Sequence, residues 1–436
     1  MRMSVIGCGY LGAVHAAAMA SIGHDVVGID TDPERISALA AGRAPFFEPD
    51  LDALLAQGVA SGSLTFSADI ADARGAELHF LAVGTPQQPD GSAADLRYVH
   101  AAVNALLPHL RPGDVVAGKS TVPVGTAAGL AERVAAVGAT LVWNPEFLRE
   151  GWAVRDTLHP DRLVVGAAAG AEGDRAVAVL REAYADAIAG GSPFLVTDLA
   201  TAELVKGAAN AFLATKISFI NAMAEIAEAA GADVTRLADA IGYDERIGRR
   251  FLGAGIGFGG GCLPKDIRAF AARAEELGRG ASVGFLREVD AINLRRREHA
   301  VRLVVDAFGG SVVGKRITML GAAFKPHSDD VRDSPALEVA IRLRGMGAKV
   351  RVTDPEALRN AAAVHPQLKY VADRDKALKG ADAVVLVTEW DLYRRELTPE
   401  HASALTRGRI IVDGRNCLDP EEWRAAGWTY RGMGRP

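Results

Sequence analysis

The first thirty residues leave the fold little freedom. Residues 3–6 (MSVI) are an apolar strand that runs straight into Gly7-Cys8-Gly9-Tyr10-Leu11-Gly12. A helical pattern follows over 13–22, and a second strand, Asp25–Ile29, closes on Asp30. Strand, glycine turn, helix and a second strand ending in an acid is the opening unit of a dinucleotide-binding α/β fold. Gly7 permits the tight turn, Gly9 lets backbone approach a pyrophosphate, and Gly12 lets the helix pack closely, while the helix N-terminus attracts the anion. Asp30 accepts from a ribose 2′-hydroxyl and repels a 2′-phosphate, so NAD is expected rather than NADP. Arg35 stands close enough to flank the adenine or to offset that preference.

Further strands are expected over 78–83, 115–119 and 140–143. They end in Gly84-Thr85-Pro86, Ser120-Thr121 and Asn144-Pro145-Glu146. In a doubly wound sheet the carboxyl ends of the strands line the ligand crevice, so these ends mark the site. The plan repeats in the second half: a strand over 315–321, a helix over 334–346, a strand over 348–353 closing on Asp354, and another over 409–413. There the first strand is followed by Ala322-Ala323-Phe324-Lys325-Pro326 and not by a glycine loop. A second dinucleotide is therefore not expected, and a nucleotide held by cationic side chains is. Between the halves, Leu199–Ala230 keeps a helical rhythm without proline, and would span ~45 to 50 Å. Helices of that length bridge domains or pack against another subunit. Lys206 and Asn210, four apart, share a face of it; the alternative for Lys206 is a solvated lysine on a linker.

The expected architecture is α/β: two Rossmann-like doubly wound parallel-sheet domains joined by a long central helix, with parts at 1–198, 199–300 and 301–436. At 436 residues, 49% hydrophobic and 24% charged, the chain has material for two or three cores. A net charge of -5 without a block of like charges offers no footprint for nucleic acid or an anionic membrane. No stretch has the ~20 apolar residues of a membrane span and the N-terminus lacks signal-peptide regions, so a cytoplasmic protein is expected. Cys8, Cys262 and Cys417 are far apart and odd in number, which argues against a disulfide framework and against a metal site.

Cys262 lies in FGGGCLPKD, residues 258–266. A thiol on a glycine-rich loop has little steric cover, and Lys265 and Lys206 would favour its thiolate. Beside a nicotinamide such a nucleophile suggests hydride loss from an aldehyde adduct, giving a thioester that water then hydrolyses. Serine attacks less readily and valine not at all. The alternative from spacing alone is a buried, inert cysteine in a turn.

Six segments together resemble one family. They are GCGYLG, KSTVPVGT at 119–126, NPEFLREG at 144–151 with PDR at 160–162, KGAANAFLATKISFIN at 206–221, FGGGCLPKD, and FKPHSDDVRDSP at 324–335. The chain is similar over nearly its whole length to the UDP-glucose 6-dehydrogenases, nucleotide-sugar dehydrogenases that oxidise a sugar primary alcohol by four electrons to an acid. The resemblance implies Cys262 as the nucleophile, with Lys206, Asn210 and Asp266 around the reacting carbon. It implies Glu146 as the base that activates water and Thr121 as a holder of that water. Gly7, Gly9, Tyr10, Leu11, Gly12, Asp30, Arg35, Thr85, Thr121, Glu150, Lys265 and Arg332 match NAD contacts. Glu146, Phe147, Leu148, Arg149, Glu150, Lys206, Asn210, Phe251, Leu252, Gly253, Ala254, Gly255, Gly259 and Lys325 match UDP-glucose contacts. Arg246 resembles an arginine that reaches a neighbouring subunit's substrate, and a homodimer or higher oligomer through the central helix is implied. CLPKD is also written in GDP-mannose dehydrogenases, the alternative of the same chemistry. A non-catalytic NAD-binding sensor or scaffold is the alternative of another class, and it has no use for a thiol, a lysine and a carboxylate on one carbon.

Overall fold

A parallel strand covered by helices on both faces is apolar throughout rather than alternating. The strands here have that character: β4 (Leu78–Leu81), β5 (Val115–Gly118) and β6 (Thr140–Trp143) are buried at every residue, as are all but the first residues of β1 (Arg2–Ile6) and β2 (Asp25–Ile29). The computed structural model describes all 436 residues and divides into two units. The first is Met1–Ala209 with Ala272–Gly278, the second Asn210–Ala271 with Arg279–Pro436.

In the first unit, β3 (Leu64–Ser67), β7 (Leu163–Gly166) and β8 (Phe194–Thr197) complete an eight-stranded sheet of order β3-β2-β1-β4-β5-β6-β7-β8. Its pairings are parallel, with Met3 opposite Val26 and Leu78, except where β6 meets β7 antiparallel at Trp143 and Gly166. Met3, Val5, Phe80 and Val142 fill one core, and Ile6, Leu81, Val116 and Leu141 fill another. These are alternate residues of the same strands, so the two cores lie on opposite faces of the sheet.

The second unit holds β9 (Arg316–Leu320), β10 (Lys349–Thr353), β11 (Lys369–Tyr370), β12 (Ala383–Leu386), β13 (Ile410–Asp413) and β14 (Thr429–Gly432). Their order is β11-β10-β9-β12-β13-β14, all parallel. Both sheets thus have the strand order of a doubly wound nucleotide fold. The expected long helix is present as Leu199–Ala230.

Boundaries differ from expectation in one consistent way. The first helix starts at Tyr10, because Gly9 already serves as its cap residue. The strands expected over 78–83 and 115–119 stop at Leu81 and Gly118. Their continuations run into Gly84, Pro86 and Pro123, which do not extend a ladder. The loops at the carboxyl edge are longer for it.

The two halves close their first turn alike. In the second unit the buried Asp354, at the end of β10, accepts from the backbone N–H of Ala322 (2.7 Å) and Ala323 (3.1 Å) and from Trp390 Nε1 (3.2 Å). Asp354→Ala leaves these donors buried without that acceptor, a loss of at least about 2 kcal/mol. Thermal unfolding is expected to show a lower midpoint for the variant; an unchanged midpoint would mean the donors find other partners.

Candidate active site

The glycine turn has two kinds of glycine. A Cβ on Gly12 would stand 1.8 Å from the carbonyl oxygen of Gly7, so the packing of helix on turn forbids a side chain there. A Cβ on Gly9 meets no protein atom within 4 Å. The fold itself does not require that glycine, whereas a ligand lying against the backbone does. The helix Tyr10–Ser21 has no side-chain acceptor at its cap, so its first-turn N–H groups are left for an anion. Turn and helix end fit the diphosphate of a dinucleotide. Asp30 accepts from Cys8 N (2.7 Å), and Arg35 donates to both its oxygens at 3.0 Å while pairing also with Asp32 at 3.3 Å. Arg35 therefore offsets part of the Asp30 charge. Cys8 is buried in the core, and burial pushes its thiol far up, which makes it inert. The ends of β4 and β5 are stitched together: Thr85 Oγ1 donates to the Thr121 carbonyl (2.8 Å) and Ser120 Oγ to the Val83 carbonyl (2.7 Å).

After β6 the chain presents Glu146. One carboxylate oxygen is 3.1 Å from Lys206 Nζ, and the other accepts from Leu148 N at 2.7 Å. The Arg162 guanidinium lies 3.8 Å from the Phe147 ring centroid, and Arg149 pairs with Asp156 at 2.6 Å. Two acids that sequence reasoning missed hold this neighbourhood. Glu48 accepts from Gly151 N (2.6 Å), Ala153 N (2.7 Å) and the Tyr10 hydroxyl, fixing the loop that contains the buried Glu150. Glu203, one turn before Lys206, accepts from Gly125 N and Ala127 N, each at 2.7 Å. Burial pushes both carboxyls up, and these hydrogen bonds pull them back.

A third missed residue is Lys119. Leu11, His15, Lys119, Glu146, Phe147 and Tyr184 are among the residues lining a cleft of about 520 Å³ that is open to solvent. Lys119 is 6% exposed and donates to Asn144 Oδ1 (3.0 Å) and the Tyr184 hydroxyl oxygen (3.1 Å). Burial draws its ammonium down to about 8, with Glu146 opposing the shift and Lys206 adding to it. At the end of a strand a lysine reads as solvated, and only its place in KSTVPVGT hints otherwise.

In the second unit Cys262 is an exposed thiol. Its carbonyl accepts from Asp266 N at 2.9 Å, so it caps the helix Leu263–Glu276. The buried Asp266 carboxylate is bracketed by Asn210 Nδ2 at 2.6 Å and Lys265 Nζ at 2.5 Å. Two glycines before the thiol answer to protein neighbours: a Cβ on Gly259 would stand 2.2 Å from the Asp333 carbonyl oxygen, and one on Gly260, whose φ is +84°, 2.8 Å from the Phe324 ring. Asn293 takes the Phe258 N–H (2.7 Å) and donates to its carbonyl (2.9 Å), where Arg297 also donates (3.1 Å). Leu252 and Ala254 turn into a core with Ile220 and Ala224, and the Gly255 backbone is engaged within the protein, its N–H donating to Asn221 Oδ1 (2.9 Å) and its carbonyl accepting from Arg296 Nε (3.3 Å). The Lys325 ammonium lies 5.3 Å from the Phe324 ring centroid, and Arg246, largely exposed, pairs with Asp244 at 2.6 Å.

Three stretches of the chain match the UDP-glucose/GDP-mannose dehydrogenase family: 1–188 its NAD binding domain, 200–295 its central domain and 318–420 its UDP binding domain. The chain belongs to that family. It is 42% identical to a UDP-glucose 6-dehydrogenase of Rhizobium meliloti (strain 1021), with all of both chains covered. Among solved structures, a UDP-glucose dehydrogenase from Pyrobaculum islandicum superposes with a TM-score of 0.89 at 40% identity, covering 100% of this chain and 98% of that one. A UDP-D-ManNAc dehydrogenase from Pyrococcus horikoshii gives 0.86 at 27%, covering 100% and 99%. The expected family, fold and NAD cofactor are borne out. No helix is long and apolar enough to cross a membrane.

Lys119 makes stability depend on pH in a definite direction. Its ammonium titrates near 10.5 unfolded and near 8 folded, so within that window the unfolded chain binds the extra proton and stability rises with pH. Below about pH 8 the whole penalty, about 3 kcal/mol, is present. Lys119→Met lacks it. The variant is therefore expected to melt above wild type at pH 7, with the gap closing towards pH 10; a gap independent of pH would contradict the buried charge.

Proposed function

We propose that this chain oxidises the primary alcohol of UDP-glucose to the carboxylate of UDP-glucuronate, four electrons in all. The observation that carries the reading is an exposed thiol, Cys262, at the opening of a helix, with the nearby Asp266 held by Asn210 and Lys265. First-turn N–H groups at a helix start favour a negative sulfur. NAD supplies hydride acceptance, two molecules being consumed for each sugar; Gly7, Gly9, Tyr10, Leu11, Gly12, Asp30, Arg35, Thr85, Thr121, Glu150, Lys265 and Arg332 would hold it. Cys262 attacks the C6 aldehyde left by the first oxidation to give a thiohemiacetal. Loss of a hydride and a proton converts that adduct to a thioester. Lys206 and Asn210 steady oxyanion character on the reacting carbon, and Asp266 takes up protons. Glu146 removes a proton from a water held with Thr121; that water adds to the acyl carbon, the C–S bond breaks, and Cys262 regains its proton.

Residues 1–198 serve the cofactor, 199–300 carry the catalytic loop and the subunit contact, and 301–436 hold the uridine diphosphate. Glu146 to Glu150, Phe251 to Gly255, Gly259 and Lys325 line the sugar nucleotide. The working form is a cytoplasmic homodimer. Phe212, Phe219 and Ile226 support it, being 66%, 48% and 59% exposed at seven-residue spacing along one face of the long helix. A monomeric mass by light scattering would overturn the dimer. Arg246 then serves the neighbouring subunit's substrate.

The pure protein with NAD is offered UDP-glucose and, separately, GDP-mannose. Two NADH per UDP-glucose are expected, and silence with UDP-glucose alone would transfer the reading to the other sugar. Cys262→Ser should bind both ligands yet lose steady turnover, and near-wild-type turnover would sink the covalent route. Glu146→Gln keeps shape and removes the base, help typically worth ~10² to 10⁴ in rate. It should form NADH in a burst and then stall with a thioester on Cys262, visible by intact mass. An unmodified protein without a burst would place Glu146 in binding or in the first oxidation.

A further inference from the structure

Lys119 sits where an ammonium group is costly and where the hydrogen bonds around it do not need it. The rings of Phe80 and Tyr184 flank it, each centroid 5.6 Å from Nζ. Its two acceptors already satisfy each other: the Tyr184 hydroxyl donates to Asn144 Oδ1 at 2.7 Å, and Asn144 Nδ2 donates to the Val164 carbonyl at 2.8 Å. A methionine would fill the same volume, leave no donor orphaned and avoid desolvating a charge. Packing therefore gives no reason for lysine.

The ammonium's remaining surroundings give one. Only two of its three N–H groups reach protein oxygens, and the residue lines the same cleft as Glu146. Asn144, which it grips, is two residues before Glu146 on the segment leaving β6, and Asn144 N is itself bonded to the Gly118 carbonyl at 2.8 Å, next to Lys119. Glu146 already meets Lys206 at 3.1 Å. His15, also on the cleft, is neutral because burial lowers its pKa well below the usual imidazole value, so it adds no competing charge.

We propose that Lys119 is a positioning residue for Glu146: it holds the strand end from which Glu146 projects and places a buried positive charge in the cleft that this carboxylate lines. The proposal rests on the reading of Glu146 as the base for thioester hydrolysis. With Asn144 gripped by Lys119 and one Glu146 oxygen held by Lys206, the carboxylate keeps a fixed direction when water arrives. The chain gives up stability to keep this charge in place.

Wild type, Lys119→Met and Asn144→Asp are compared with UDP-glucose and NAD. For Lys119→Met, kcat should fall at least about tenfold, the typical scale for losing a group that orients a catalytic one. Both KM values should stay within about twofold, an acyl adduct should build up on Cys262 by intact mass, and melting at pH 7 should be equal to or above wild type. Asn144→Asp is isosteric and draws the ammonium's field onto a new carboxylate. It should show the same kcat loss and adduct, and it tests the idea even if the methionine variant fails to fold. Wild-type kcat in either folded variant overturns the proposal, as does a Lys119→Met protein that melts lower and loses kcat and KM together, the mark of a merely structural lysine. A wild type that gives no NADH overturns instead the functional reading beneath it.

Discussion

Carboxylates that accept backbone N–H groups hold this protein's loops in place. Asp30 takes the N–H of Cys8 and Asp354 those of Ala322 and Ala323, in each case joining the end of a second strand to the turn after the first. Glu48 takes Gly151 and Ala153, and Glu203 takes Gly125 and Ala127. Loops at a sheet's carboxyl edge have few ladder partners, so their amides need acceptors from elsewhere in the chain. A carboxylate can serve two at once. The acids thereby convert irregular backbone into a fixed platform, and Glu146 and Lys206 each stand within a few residues of such an anchored segment.

The two units use one device for different ends. In the first, the acid after the second strand is shared between the turn and Arg35, at the rim where a ribose would lie. In the second, Asp354 spends its acceptors on four amides and an indole and is wholly interior. One plan has produced a cofactor edge and a structural knot, and the replacement of a glycine loop by Ala322-Ala323-Phe324 records the difference.

Much of this was legible in the residues. The turn 7–12, the acid at 30 and the helix Leu199–Ala230 follow from local chemistry: glycine where backbones touch, an acid at a strand end, an unbroken helical rhythm. What escaped needed long-range partners. Glu48 and Glu203 look like surface acids until their amides, 103 and 78 residues away in the cases of Gly151 and Gly125, are in view. Lys119 looks solvated because strand ends generally are; that it lies between two rings is a property of packing. The glycines before Cys262 invited a reading of open access, and the immediate cause of two of them is packing, Gly259 against the Asp333 carbonyl and Gly260 against the Phe324 ring.

That last feature bears on how such an enzyme can change. Because Gly259 and Gly260 are demanded by neighbours within their own unit, the backbone leading to the thiol leaves no room for a side chain there whatever sugar is bound. Variation must then be written elsewhere, in exposed side chains such as Phe251. The backbone that carries the thiol is fixed by its own packing, and change is left to the side chains around it.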